Sequence, residues 1–462
     1  MEPKSRSLTR AEQLAALSTL FPWIERFRQR PVRDYAATLY DAEPKVQCAS
    51  RDHARQMIGT WLRQKARQRG FGDIDADCLR NEVLKHPVLQ TGPHLHLAID
   101  PDAFFTHLFS LMGLRAHGRR AYVSYNCSTV KLAQPGRRGP GWLKIQGEPI
   151  NLFGISASKM TDVTLLARDR TYGFKLTTNE RTPDLTHAVA GLKRMLPKSE
   201  FPSAALAIKC ANDALWPSFF GSEINFLQLD DDDVSDLLVA HLDDPQSWVR
   251  SRFLNDPQLP AIMLKAIDRL ASSPWSHWLR NTTHFFWGVN EHRLVPLTLE
   301  GRTLKSEQRQ CESVPFNPDG LQRALLKRQI VPNLLLVFML IAILPGIRIL
   351  GGSRQSVYYP LMRYAFCSAL VDHDEDDDLL RSVSHDKRAS AWGHRVICDQ
   401  TEPLALRLTG NIDRLLYHFG SLSLEEACGD LTDFRHDKLW SDLQAALVSG
   451  VATTKRSPWI FA

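Results

Sequence analysis

The sequence predicts an α/β fold built on a parallel sheet, and three observations lead there. Pro87-Val-Leu-Gln-Thr-Gly is a short apolar run stopped by a glycine, the pattern of a buried strand. Asp100-Pro101-Asp102 then opens a helix, with aspartate at the cap and proline at the first position, and Ala121-Tyr-Val-Ser-Tyr reads as the next strand. Such a β-loop-α-β unit has parallel strands and a right-handed crossover. Residues 347–350 repeat the theme, running into Gly351-Gly352 ahead of a helix from Val357.

The remaining elements follow in chain order. Residues 9–69 read as helices, because Leu14, Leu17, Leu20 and Ile24, then Ala54, Met57, Ile58 and Leu62, recur at helical spacing until Gly70 and Gly72. The helix from Asp102 carries Phe104, Phe105, Leu108, Leu111 and Met112 inward and stops near Gly118. Residues 141–178 alternate in short glycine-punctuated segments, as in a β-hairpin excursion. Residues 184–196 and 203–215 look helical, and the acidic residues 230–233 read as the solvated first turn of another helix, where carboxylates suit the positive end of the dipole. Residues 285–299 read as a strand pair around a turn at 288–291. Residues 321–329 and 334–344 read as helices, the second one buried. Residues 372–378 read as a solvated loop or helix start, and the remainder as mostly helical. The expected organisation is a helical segment (1–80), a first part of the core (81–140), an insertion of hairpins then helices (141–280), a second part of the core (281–370) and a helical C-terminal region (371–462).

Composition bounds the function. A chain of 462 residues, 44% hydrophobic and 23% charged, accommodates two or three domains or one large core with insertions. The net charge of +6 is too mild to argue for nucleic acid as the main partner. Between Ala103 and Gly147, however, seven Lys/Arg occur without an acid, either a solvated basic face or a field drawing phosphate and carboxylate ligands to a pocket. The eight scattered cysteines form no C-x-x-C pair, which argues against a zinc site or a disulfide framework. The opening MEPKSRSLTRAEQ has no apolar run, so no signal peptide is expected. The apolar stretch 334–344 is about half the ~20 residues a bilayer span needs, so a soluble, cytoplasmic protein is expected, with no membrane partner.

Three constellations could carry chemistry. In Thr91-Gly92-Pro93-His94-Leu95-His96, a glycine at a strand end lets backbone approach a ligand, and His94 and His96 could face developing negative charge. The bland alternative packs one histidine and exposes the other. In Gly351-Gly352-Ser353-Arg354-Gln355, with Tyr358 and Tyr359 beyond, paired glycines allow close contact while Arg354 and Gln355 read a carboxylate or phosphate. In Phe316-Asn317-Pro318-Asp319-Gly320 with Arg323, a structural turn is the default. Ser156-Ala-Ser-Lys159 reads as structural.

Together these runs resemble a known family. VLQTGPHLHLAIDPDAFFTHLFSLMGLRAHGRRAYVSY, then FFWGVNEHRLVPL, then VPFNPDGLQRALLKRQIVPNLLL and ILGGSRQSVYYPLM are similar, in order and spacing, to segments of the bacillithiol-biosynthesis cysteine-adding enzymes. The resemblance implies a Rossmann-like core related to class I aminoacyl-tRNA synthetases and nucleotidylyltransferases, and a reaction joining a cysteine carboxyl group to an amino group. The family's loop after Thr-Gly is glutamine-rich, where this chain has Pro93-His94-Leu95-His96. Its Gly-Gly loop carries a proline and an acid, where this chain has Ser353-Arg354-Gln355. No heptad pattern follows residue 370, so a divergent relative with another substrate is expected. The expected catalytic residues are His94 and His96. The expected binding residues are Thr91, Gly92, Asn126, Arg293, Asn317, Arg323, Gly351, Gly352, Arg354, Gln355 and Tyr358, with no metal ligand. ATP with Mg2+ is the cofactor the resemblance allows. Amino acid and nucleotide are the expected partners, while tRNA and a homodimer stay open. Nucleotidyl or glycosyl transfer, and a non-catalytic binding or scaffold role, are the alternatives.

Overall fold

The computed structural model describes residues 8–43, 48–179, 182–279, 281–307, 310–371, 376–387, 389–409, 411–435 and 437–453. Its centre is the parallel sheet the glycine-terminated runs predict. β1 (Val88–Gln90) and β2 (Ala121–Tyr125) are joined through the helix Pro101–Ala116. That helix is capped by Asp100, whose side chain accepts from the Asp102 amide, and starts on Pro101. After a small antiparallel hairpin, β3 (Trp142–Ile145) with β4 (Glu148–Asn151), come helices Pro183–Met195 and Ala204–Phe220 and then β5 (Asn225–Leu229). β6 (Phe286–Asn290), β7 (Arg293–Glu300), β8 (Thr303–Ser306), β9 (Val314–Pro315) and β10 (Ile330–Pro332) form a separate antiparallel sheet in the order β10-β6-β7-β8-β9. β11 (Arg348–Gly351) and β12 (Ser390–Trp392) return to the core, which runs β12-β11-β1-β2-β5 with every pairing parallel.

This is a Rossmann-like sheet flanked by helices. The chain starts at the centre with β1, builds outward through β2 to β5, then returns to the other side of β1 through β11 and β12. The reversal makes the β1/β11 boundary a topological switch point, where connections diverge and leave a crevice beyond the carboxyl ends of the strands. β1 pairs β11 over Val88↔Arg348 to Gln90↔Leu350, so Thr91 and Gly351 leave the sheet side by side.

Several expectations need correction. The core takes strands from outside the two segments expected to supply it: β5 lies within 141–280 and β12 within the region read as helical. The turn between β6 and β7 falls at Glu291 and His292, not at Gly288, which is paired with Val295. The acidic run 230–233 is not a solvated turn, for Asp230 and Asp231 are 0% and 1% exposed. Asp230 caps the helix Asp231–Asp243 and receives the Lys209 ammonium at 2.7 Å, which also donates to Asp233 at 2.6 Å. Asp231 takes the amides of Ser128 and Thr129 at 2.5 and 2.9 Å and the Tyr125 hydroxyl at 2.7 Å, fixing the turn after β2. The apolar stretch forms a short helix, Leu334–Phe338, that widens into a π-turn over Met339–Ile343, and residues 335–344 are buried. Among the described residues no helix is long and apolar enough to cross a membrane. Of residues 372–378, the first four lie outside the described residues, and Asp377–His385 is a helix.

The N-terminal helices hold the C-terminal region in place. Pro31 bridges Ser423, the Val32 amide donates to the Leu422 carbonyl at 2.9 Å, and helix Arg10–Leu20 packs on helix Lys438–Val448. Thr432, Asp433, Asp437 and Lys438 are thereby set against the carboxyl edge of the sheet.

Candidate functional site

At the switch point lies a cleft of about 950 Å3. The loop after β1 supplies Thr91, Gly92, Pro93 and His94, and the loop after β11 supplies Gly352, Ser353 and Arg354, with Gln355 and Tyr358 from the following helix. The sheet thus brings together two of the three constellations, separated by more than 250 residues in sequence. A third loop, after β12, adds His394 and Arg395, and the C-terminal region adds Thr432, Asp433, Asp437 and Lys438.

Buried side chains tie these loops to each other. Gln355 donates to the Thr91 hydroxyl at 2.6 Å, which donates to the Leu350 carbonyl at 3.0 Å, while Tyr358 donates to Gln355 at 3.2 Å. Gly351 makes this possible: a Cβ there would stand 2.1 Å from the Gln355 amide carbon. Gln90, at the end of β1, donates to the carbonyls of Gly92 and Gly393, both at 3.2 Å, and accepts from Ser110 at 3.1 Å. A relay of amides holds the loop beyond Gly92. Asn126 donates to the Pro93 carbonyl at 2.9 Å and accepts from Gln228 at 2.9 Å, Gln228 accepts from Asn212 at 2.8 Å, and Asn212 donates to the His96 carbonyl and accepts from the Ala98 amide. Each relay side chain is at most 1% exposed, so the loop is set by amides held away from water.

The lining is electropositive, with Arg138, Arg354, Arg395 and Lys438 against Asp433 and Asp437. Arg354 reaches Asp437 at 2.6 Å, and Arg395 lies between Asp433 at 3.2 Å and Asp102 at 3.5 Å. The helix Gln355–Leu370 begins at the cleft with no side-chain cap and no acid in its first turn, so its positive dipole end faces a ligand. His94 is exposed to the cleft, yet the enclosing walls first, and His96 second, push its pKa below the ordinary histidine value. Burial, then Arg395, does the same to His394, whose Nδ1 sits 2.7 Å from the Thr106 hydroxyl. Both rings are therefore neutral at pH 7. A cationic rim around neutral imidazoles can hold a phosphate or carboxylate and accept a proton beside it.

Several expected residues lie elsewhere. The His96 side chain does not line the cleft, and its ring stands 3.8 Å from Asp100. Asn126 sits beneath the loop as a positioning group. Arg293 pairs with Asp162 at 3.0 Å on the antiparallel sheet, Asn317 caps the helix Pro318–Leu326 through the Gly320 amide, and Arg323 is exposed on that helix. Of the seven basic residues in 103–147, Arg138 alone lines the cleft, and Arg119 is 3.3 Å from Glu82. Sequence reasoning missed His394 and Arg395, although Ser-Ala-Trp-Gly before them is another short run stopped by glycine. Nothing in the pattern of Thr432, Asp433, Asp437 and Lys438 marks them.

No family model matches the chain, and no curated protein matches it at a significant level.

Proposed function

We propose that the protein is a ligase-like enzyme that condenses an amino acid with an amine-bearing small molecule, the chemistry of the bacillithiol cysteine-adding enzymes its motifs resemble. One observation carries the reading: two of the four resembling runs, the first and the last, converge through β1 and β11 on a single electropositive cleft at the switch point. Amide formation needs a held carboxylate, stabilised charge on the departing group, and an amine stripped of its proton. Arg354, Arg395, Lys438 and the open end of helix Gln355–Leu370 serve the first two needs. His94, neutral and open to the cleft, serves the third by accepting the proton that the amine nitrogen sheds as its lone pair bonds to the activated carbonyl carbon.

ATP with Mg2+ fits this lining. The cationic groups Arg138, Arg354, Arg395 and Lys438 suit a polyphosphate. When bound, ATP would supply the group that activates the carboxylate. The volume lies within the range of small-molecule sites.

The test is product analysis. The full chain is incubated with ATP, Mg2+, the common amino acids and a panel of primary amines, and amides are sought by mass spectrometry. An amide with matching ADP or pyrophosphate release is expected. His94→Ala should slow it by about 10²-fold or more, the usual worth of a positioned base. His96→Ala should stay within about ten-fold, because its ring lies outside the cleft. Pyrophosphate release without an amide would replace this reading with nucleotidyl transfer, and no turnover with tight ligand binding would replace it with a binding protein.

A further inference from the structure

Beside the electropositive cleft lies a second cavity of about 250 Å3, and the two share Leu334 and Tyr358 as a common wall. Among the described residues no Lys, Arg, Asp or Glu lines it: Leu264, Trp278, Phe285, Trp287 and Met362 share it with neutral polar groups such as Asn281, Thr283 and Asn333. The wall is fixed from behind. The Asn333 amide donates to the Phe285 carbonyl at 2.7 Å, its side chain donates to the Thr283 carbonyl at 3.1 Å, and the Leu297 amide donates to the Thr283 hydroxyl at 2.8 Å. Two lining residues, His277 and Phe285, hold left-handed backbone at φ 73° and 62°. For an aromatic residue that conformation is strained, and such strain is kept where the surroundings impose a shape.

Close packing leaves few spaces of this size in a protein. A cavity of roughly 150 Å3 takes a benzene ring, so this chamber has room for a ring with a substituent. We infer that it is the side-chain subsite of the cleft, taking the apolar part of a substrate whose carboxylate lies against Arg354 and Arg395. This rests on the anion-binding reading of the cleft. It changes the substrate class from a small polar amino acid such as cysteine to an aromatic or large aliphatic one, because burying the tail against Trp278 and Trp287 rewards apolar area.

Calorimetric titration of the full chain with acetate, butyrate and 3-phenylpropionate, and separately with inorganic pyrophosphate, tests the inference. Phenylpropionate should bind at least ten-fold more tightly than acetate. Met362→Trp, which fills the chamber, should reduce that preference below three-fold while pyrophosphate affinity stays within two-fold. Leu264→Trp, at a half-buried lining position, provides the same test if Met362→Trp does not fold. Equal affinity across the series, or a preference that survives both fillings, overturns the subsite. Pyrophosphate that fails to bind, with the tail preference intact and abolished by filling, overturns the anion reading and leaves the chamber standing.

Discussion

A Cβ added to Gly92 would stand 2.7 Å from the Cβ of His394 and 2.8 Å from its Cγ. The His394 Cβ is fixed by its backbone and cannot rotate away, so the loop after β1 or the loop after β12 must move. Gly92→Ala should therefore cost about 1–3 kcal/mol, the usual penalty of overpacking, with ligand binding weakened in step. Thermal unfolding with and without pyrophosphate measures both. Here the sequence was legible for a physical reason: a glycine ending a buried strand lets the next loop approach closely. What it approaches was not legible, since His394 is 302 positions away and only the sheet brings it near. The two histidines show the same limit. At spacing i, i+2 both could face the ligand, but the Asn212 side chain pins the His96 carbonyl and the ring leaves the cleft.

Among elements, the helix Asp231–Asp243 shows where sequence reasoning failed and why. Four consecutive aspartates suit a helix start, and a solvated turn is the usual outcome. Their burial depends on Lys209 and Lys65, which arrive from other helices, and Lys65 reaches Asp233 at 3.1 Å and Asp236 at 2.5 Å. Burial raises the pKa of Asp230, while Lys209 and Lys65 hold Asp233 low. Removing Lys209 leaves these carboxylates buried with one cation fewer. Lys209→Met should cost about 3–5 kcal/mol, as expected for breaking a buried pair from one side. Urea denaturation should show this, with part of the loss recovered in Lys209→Met/Asp230→Asn. β5 and β12 escaped sequence reading because one interrupts its apolar run with Asn225 and Gln228 and the other has three residues. Their assignment is made by pairing with β2 and β11, which no local pattern reports.

At the scale of the whole molecule, stability should depend on acid in a defined window. His107 and His241 are each 1% exposed, and burial pushes both pKa values down to about 3. In the unfolded chain they titrate near 6.5. Below that value the unfolded state takes up protons that the native state refuses. The stability they confer is complete above pH 6.5 and is lost as pH falls toward 3, by about 1.4 kcal/mol per pH unit for each histidine. The urea midpoint should fall steadily from pH 7 to 5, and His107→Gln should show a shallower fall. The global fold was otherwise readable, since two glycine-stopped strands before helices already imply a parallel sheet. The contribution of the C-terminal region to the cleft was not, because it is decided by how helix Arg10–Leu20 and the bridge at Pro31 dock that region.

We propose above all that the cleft between the loops after β1 and β11 binds anions. Calorimetric titration of the full chain with inorganic pyrophosphate tests it most directly, alongside Arg354→Ala and Arg395→Ala. One saturable site is expected, weakened by rising salt, with each substitution costing about ten-fold or more in affinity, the worth of a charged hydrogen bond. Absence of binding, or equal binding by the native chain and both variants, would contradict it.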